Sequence, residues 1–293
     1  MPRETLLSLG HGYSAQALAR RLTARGWRVI GTTRSAAKSE AVRASGAEAL
    51  VWPGAEIDAA LDAATHLLVS AGPDAAGDPV LNAAGAAIRA RAGRFAWAGY
   101  LSTTGVYGDR GGDWVDEGSD CRPSTRRGQW RLAAERAWQR LHAEAGLALH
   151  IFRLAGIYGP GRGPFEKVRD GSARRIIKPG QVFSRIHVED IATVLEASIA
   201  RPRPGAVYNV CDDEAAPPED VIGHAARLLG LPLPEAVAYD EAEMTPMARS
   251  FYAESKRVAN RLMHEELGVR LAYPTYREGL AALLAAERAG FHA

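Results

Sequence analysis

Cysteine, long apolar runs and an excess of either charge are scarce in this 293-residue chain, and each scarcity removes a class of function. The two cysteines, Cys121 and Cys211, stand far apart with no C-x-x-C spacing, which argues against a disulfide framework or a cysteine zinc site and fits a reducing compartment. No segment approaches about eighteen uninterrupted apolar residues, and no signal-peptide-like stretch opens the chain. A soluble, cytoplasmic protein without a membrane partner is expected. Basic and acidic side chains number 36 and 34, a formal charge of +2, and the arginines are scattered, so nucleic acid is not the expected partner. The acidic stretch Asp109, Asp113, Asp116 and Glu117 lacks regular ligand spacing and reads as a loop over a site, with no metal.

What the chain does contain begins at its start. The apolar run Thr5-Leu6-Leu7-Ser8-Leu9 leads into Gly10-His11-Gly12-Tyr13-Ser14-Ala15 and then a helical stripe of Leu18, Ala19 and Leu22. Strand, glycine turn and helix in that order hold a dinucleotide: Gly10 permits the turn, Gly12 lets backbone approach a pyrophosphate, and Ala15 allows close helix–strand packing. The N–H groups of Tyr13, Ser14 and Ala15 then face the phosphates, while the His11 and Tyr13 side chains are expected to cover the cofactor or face solvent. Strand-like runs recur at Trp27–Thr33, Leu50–Trp52, Leu67–Ser70, Phe95–Ser102 and Leu149–Leu154, separated by helical segments. This pattern predicts an α/β fold, a doubly wound parallel sheet of Rossmann type. Trp130, Ala133, Ala134, Ala137, Trp138, Leu141 and Ala145 form one face of a long helix over 124–145. Beyond Gly159-Pro160-Gly161-Arg162 the elements shorten, giving a dinucleotide domain over 1–160, with some later segments packing back onto it, and a mainly substrate-binding lobe over 161–293. Helices are expected from Pro217 to Gly230 and from Tyr276 to Arg288.

Several ordered segments together resemble the extended branch of the short-chain dehydrogenase/reductase superfamily, which contains nucleotide-sugar epimerases and dehydratases. Besides the glycine turn these are Ser102-Thr103-Thr104-Gly105-Val106-Tyr107-Gly108, Arg153-Leu154-Ala155-Gly156-Ile157-Tyr158-Gly159-Pro160-Gly161-Arg162, Ser184 to Ala192, and Tyr208-Asn209-Val210. More narrowly the chain resembles an atypical epimerase/dehydratase-like subgroup with a G-x-G-x-x-[AG] turn. The resemblance implies that Thr103 is the catalytic hydroxyl. Thr104, Tyr107, Tyr158, Arg162 and Arg185 are the candidate substrate-binding residues. Ala71 and Gly72, at the end of the fourth strand, would lie against the cofactor.

Two positions depart from the usual pattern. The second strand ends at Thr32-Thr33-Arg34, where an NAD-preferring fold places an acid for the ribose 2′-hydroxyl. An arginine there suits a 2′-phosphate, which favours NADP over NAD, the alternative being a solvated loop arginine. The family's tyrosine and the lysine four residues later are replaced by Arg127 and Arg131. A guanidinium stays protonated, so Arg127 cannot exchange the proton a tyrosine would. Three readings stay open: the arginines orient an anionic substrate group; they are a solvated face with Arg131 and Glu135 as an i, i+4 pair; or proton transfer has moved to Thr103, Tyr107, Tyr158 or His187. Two functions follow. One is an NADP-dependent oxidoreductase or epimerase-like enzyme for a small polar, sugar-like or phosphorylated carbonyl or alcohol, acting as monomer or homodimer. The other is a non-catalytic NADP(H)-binding sensor.

Overall fold

A computed structural model describes residues 4–54 and 56–290. Seven strands, β1 (Thr5–Leu9), β2 (Arg28–Thr33), β3 (Glu48–Val51), β4 (His66–Val69), β5 (Trp97–Thr103), β6 (Leu149–Leu154) and β7 (Val207–Val210), form one sheet. Their order is β7-β6-β5-β4-β1-β2-β3, and every pairing is parallel. Successive side chains of a strand leave on opposite faces, so an apolar run requires cover on both. Leu6 and Leu7 satisfy this: each is fully buried, one in the core on either face.

Helices α1 (Tyr13–Ala24), α2 (Pro79–Ala90), α3 (Arg126–Ala145) and α4 (Val188–Ala200) supply that cover. Leu18 and Leu22 of α1 pack with Ile191 and Leu195 of α4 on one face. Ile88 of α2 packs with Trp138 and Leu141 of α3 on the other. The order β3-β2-β1-β4 puts a crossover reversal beside β1, so the loops after β1 and β4 part at the sheet's carboxyl edge and leave a crevice.

Beyond residue 160, α4 and β7 complete the sheet layers. The stripe expected on α3 is narrower: Ala133 is exposed, while Glu135 is fully buried. The remaining residues build a smaller core in which Tyr158, Phe165 and Val168 pack against α5 (Pro218–Leu229) and α6 (Tyr276–Arg288). A parallel pair, Gly156–Tyr158 with Arg185–His187, joins this core to the end of β6.

The acidic stretch is a strap. Asp109 accepts from Ser255 N at 2.8 Å, and Trp114–Val115 pairs with Arg257–Val258. Glu117 accepts from Asn209 N at 2.8 Å, which satisfies a buried N–H on the outer edge of β7. The strap thereby holds residues 254–258 against the mouth of the sheet.

Candidate active site

The glycine turn is shaped for close approach. Gly10 has φ +86°, and a Cβ there would sit 2.7 Å from Ala71 N. Ser70 Oγ donates to Gly10 O, and Gly10 N donates to Thr32 Oγ1 at 2.8 Å, so β1, β2 and β4 clamp the turn. Gly12 is the N-cap of α1, with no side chain capping it and no acid in the first turn. The first N–H groups of α1 thus meet a surface that a side chain would otherwise fill, and they suit a pyrophosphate.

The two variable residues of the turn part company, and only His11 departs from its expected place. His11 turns inward: its ring packs over Gly31, where a Cβ would lie 2.6 Å from His11 Cγ, and Nε2 meets Ser45 Oγ at 2.9 Å. Burial lowers its pKa to about 4, so it is a neutral packing residue that neither covers a cofactor nor faces solvent. Tyr13 reaches across the crevice, its hydroxyl donating to Pro160 O at 2.9 Å. Gly159, with φ +154°, must lack a side chain here, because a Cβ would lie 2.5 Å from that hydroxyl. The Arg162 guanidinium lies 5.8 Å from the centre of the Tyr13 ring.

From this turn a single cleft of about 1070 Å³ runs along the carboxyl edge of the sheet into the smaller lobe. Gly12, Tyr13, Ser14 and Arg162 line its first end, Ser70, Gly72, Thr103, Thr104, Arg127 and Arg131 its middle, and Tyr158 and Arg185 its far end. Ala15 is buried behind the turn, and Ala71 abuts Gly10 without lining the cleft. Arg34 is exposed at the end of β2, also outside the lining.

Thr103 Oγ1 accepts from Gly105 N at 3.1 Å, which leaves its proton for a ligand oxygen. Gly128 explains how Arg127 comes beside it: a Cβ at this helix position would lie 2.9 Å from Gly105 O and 2.8 Å from Pro123 Cβ. Only glycine lets α3 start this close to the end of β5. One turn on, Arg131 Nη1 donates to Leu101 O at 2.9 Å, Tyr100 OH at 3.1 Å and Ala71 O at 3.5 Å, which fixes a cation beside β5 and the end of β4.

Packing decides three of the open alternatives. Glu135 pairs with Arg153, at 2.9 Å, and not with Arg131. Tyr107 is fully buried behind the cleft, accepting from Arg153 Nη1 at 2.9 Å and donating to Asn209 Oδ1 at 2.7 Å. It cannot reach a substrate. Burial raises its pKa to about 12 although Arg153 opposes the shift. His187 caps α4, Nδ1 accepting from Glu189 N at 3.2 Å, and its ring lies between Tyr158 and Tyr273. Burial lowers it to about 4, and it stands outside the lining.

The far end holds residues that sequence reading misses. Ser250, Tyr252, Glu254 and Lys256 all line the cleft. Lys256 Nζ donates to Glu254 Oε2 at 2.7 Å, and Glu254 Oε1 accepts from Ser124 Oγ at 2.6 Å, just before α3. A signal existed: Tyr252-Ala253-Glu254-Ser255-Lys256 has the tyrosine-to-lysine spacing absent from α3, although no helical periodicity marks it. Arg185 Nη1 donates to Phe183 O and Ala216 O at 2.9 and 3.0 Å. Beside it, burial holds Asp212 up to about 8, against the attraction of that guanidinium. Among the described residues the charged lining is Arg127, Arg131, Arg162, Arg185 and Lys256 against Glu254 alone. A nearly neutral chain therefore carries a positive cleft, which favours an anionic ligand.

The sequence profile of the NAD dependent epimerase/dehydratase family matches residues 9–211, from the glycine turn through β7. The chain belongs to that family. Within the wider group, a functionally unknown conserved protein from Silicibacter pomeroyi has the same architecture, with 63% identity, a TM-score of 0.92, and coverage of 97% of this chain and 99% of that one. Protein YeeZ of Escherichia coli K12 is 32% identical over 242 residues, 78% of this chain and 84% of its own. The UDP-glucuronic acid 4-epimerase of Bacillus cereus, solved with NAD, superposes with a TM-score of 0.77 over 98% of this chain and 99% of its own. At 14% identity that likeness extends to the fold. Family membership accounts for the order of β1 to β7 and for the glycine turn. It does not account for Arg127 and Arg131.

Proposed function

We propose that this chain is an NADP-dependent oxidoreductase or epimerase-like enzyme acting on a small polar carbonyl or alcohol that bears a carboxylate or phosphate. The continuous cleft carries this reading: it joins a helix N-terminus built for pyrophosphate to Thr103 and then to a cationic lobe. A bound nicotinamide would supply hydride exchange at the substrate carbon. Thr103 would donate to the substrate oxygen, and Arg127 and Arg185 would orient its anionic group, for which guanidinium geometry is suited. Arg131 would hold the cofactor ribose at the ends of β4 and β5. Arg34, on the strand end where an acid would select NAD, supports the preference for NADP.

A second reading has its own observation. Arg131 already donates to Leu101 O and Tyr100 OH, as a residue kept for structure would, and this favours a cofactor-binding sensor. Fluorescence titration with NADPH and NADH, followed by NADPH oxidation across keto acids and phosphorylated ketones, separates the readings. The enzyme reading expects tighter NADPH, an affinity ratio that collapses in Arg34→Ala, and turnover lost in Thr103→Ala with cofactor affinity kept. Equal affinities would remove the NADP preference, and tight binding with no turnover across the panel would favour the sensor.

A further inference from the structure

The weak point of an enzyme reading is the proton, because neither arginine in the tyrosine and lysine positions can give one up. Lys256 is the cationic side chain of the cleft that can. Lys38, Lys167, Lys178 and Lys256 are the four lysines of the sequence, in a chain with 36 basic side chains. Arginine therefore serves almost every cationic role, and one of the few lysines stands in the cleft wall. Its side chain is only 10% exposed and its partner Glu254 only 11%, so the pair is set into the wall.

Several contacts locate this pair. Ser124 Oγ ties Glu254 to the residues just before α3, two positions from Arg126 and three from Arg127. Val258 N donates to Ser184 Oγ at 3.1 Å, and Gly156 N donates to Ser184 O at 3.1 Å, which ties the segment to the end of β6. The end of β6 is paired with β5 at Leu154 and Thr103. Lys256 is thus carried by a neighbouring lobe to the junction of Thr103, the start of α3 and the substrate end of the cleft. The charged groups sharing that part of the wall are Glu254 beside it, Arg127 from α3 and Arg185 from the strand Arg185–His187, with the phenols of Tyr158 and Tyr252.

Resting on the enzyme reading above, we infer that Lys256, positioned by Glu254, is the proton donor of this site and takes over the task of the missing tyrosine. In the reducing direction the carbonyl carbon receives hydride from the reduced nicotinamide, which is oxidised as the carbonyl is reduced. The Lys256 N–H bond breaks, and the former C=O π pair forms the new O–H bond with that proton. The lysine is left as a neutral amine and regains its proton from solvent through the cleft mouth. Glu254 accepts from the ammonium before transfer and so sets its direction. Tyr252 and Tyr158 keep their protons more tightly than an ordinary phenol because burial raises both.

The first arm of the test uses the cofactor alone. Protein labelled with ¹³C,¹⁵N-lysine gives four side-chain signals, and Lys256→Met assigns one of them. Adding NADP⁺ is expected to shift the Lys256 signal, because the nicotinamide ring approaches its ammonium, while Lys167 stays as reference. NADP⁺ that binds without moving the Lys256 signal overturns the inference and leaves the cofactor reading intact; NADP⁺ that fails to bind overturns the cofactor reading itself. With a carbonyl that the enzyme reduces, Lys256→Met is expected to lose about 10²- to 10³-fold in turnover, keep NADPH affinity within about twofold, and lose the fall in rate at high pH. Lys256→Arg keeps the charge without a transferable proton and is expected to stay as slow as Lys256→Met. Recovery in Lys256→Arg, or loss of the high-pH fall in Tyr252→Phe in its place, would overturn the assignment.

Discussion

Glu135 shows how far a single residue can mislead when only its helical spacing is known. Its spacing from Arg131 suggests a solvated pair worth a few tenths of a kcal/mol. In the fold it is fully buried, accepts from Ser102 Oγ, and pairs with Arg153, which reaches on to Tyr107 and Asn209. One polar chain therefore crosses α3, β5, β6 and β7 directly behind the cleft. Burial opposes the Arg153 charge, but Glu135 outweighs it and holds the guanidinium firmly protonated. Glu135→Ala would leave that charge buried without its partner, so a loss of about 3–5 kcal/mol is expected in urea denaturation. A loss below about 1 kcal/mol would show that water or Tyr107 replaces the carboxylate. Gly10 is a second case at this scale: Gly10→Ala strains a φ of +86° and drives a Cβ against Ala71 N. Its expected signature in the NADPH titration is lost affinity, at least tenfold.

At the scale of the element, α3 is the part that turns a common fold into an unusual site. Thr125 caps it through Gly128 N at 3.1 Å, and Trp138 and Leu141 anchor its far half in the core. Its near half is placed by Gly128. Glycine inside a helix usually costs about 0.5–1 kcal/mol relative to alanine, so replacement by alanine would ordinarily stabilise. Here the added Cβ meets Gly105 O and Pro123 Cβ at under 3 Å, and the helix must shift outward. Gly128→Ala is therefore expected to destabilise, by about 1–3 kcal/mol, and to weaken whatever binds between Arg127 and Thr103. A stabilised variant in thermal unfolding would mean that the start of α3 is not held against the β5 turn.

The whole molecule carries its own pH dependence. Burial lowers His11, His66, His150 and His187 to about 4 each, so the folded state keeps them neutral while the unfolded chain protonates them near pH 6.5. Their contribution is present above that value and is lost as the pH falls towards 4. Asp212, held up to about 8 by burial, works in the opposite direction over the same range, as do Glu117, Asp190 and Glu219 with smaller shifts, but the four imidazoles, joined by His224, which burial also lowers, outweigh them. Thermal unfolding is thus expected to show stability falling between pH 6.5 and 4; a flat or rising profile would mean that these imidazoles are hydrated. The same scale marks the limit of what local pattern reveals. The strands β1 to β6, the glycine turn and the helices from Pro217 and Tyr276 are legible because apolar periodicity, glycine and capping residues act over a few neighbouring positions; β7 and the order of the strands are not. The site was legible only in part. Thr103, Arg127 and Arg131 are singled out by the family resemblance, which aligns them with the catalytic hydroxyl and the tyrosine–lysine pair. The buried roles of Tyr107 and His187, and the cleft positions of Glu254 and Lys256, depend on contacts between segments far apart along the chain, up to 130 residues for Ser124 with Glu254. By itself the sequence determined the family, the architecture and the loss of the tyrosine–lysine pair on α3, since these are written in residue type and short-range order. Only the tertiary structure decided which polar side chains are spent inside the core and which lysine faces the cleft, because burial and charge pairing belong to the packed chain.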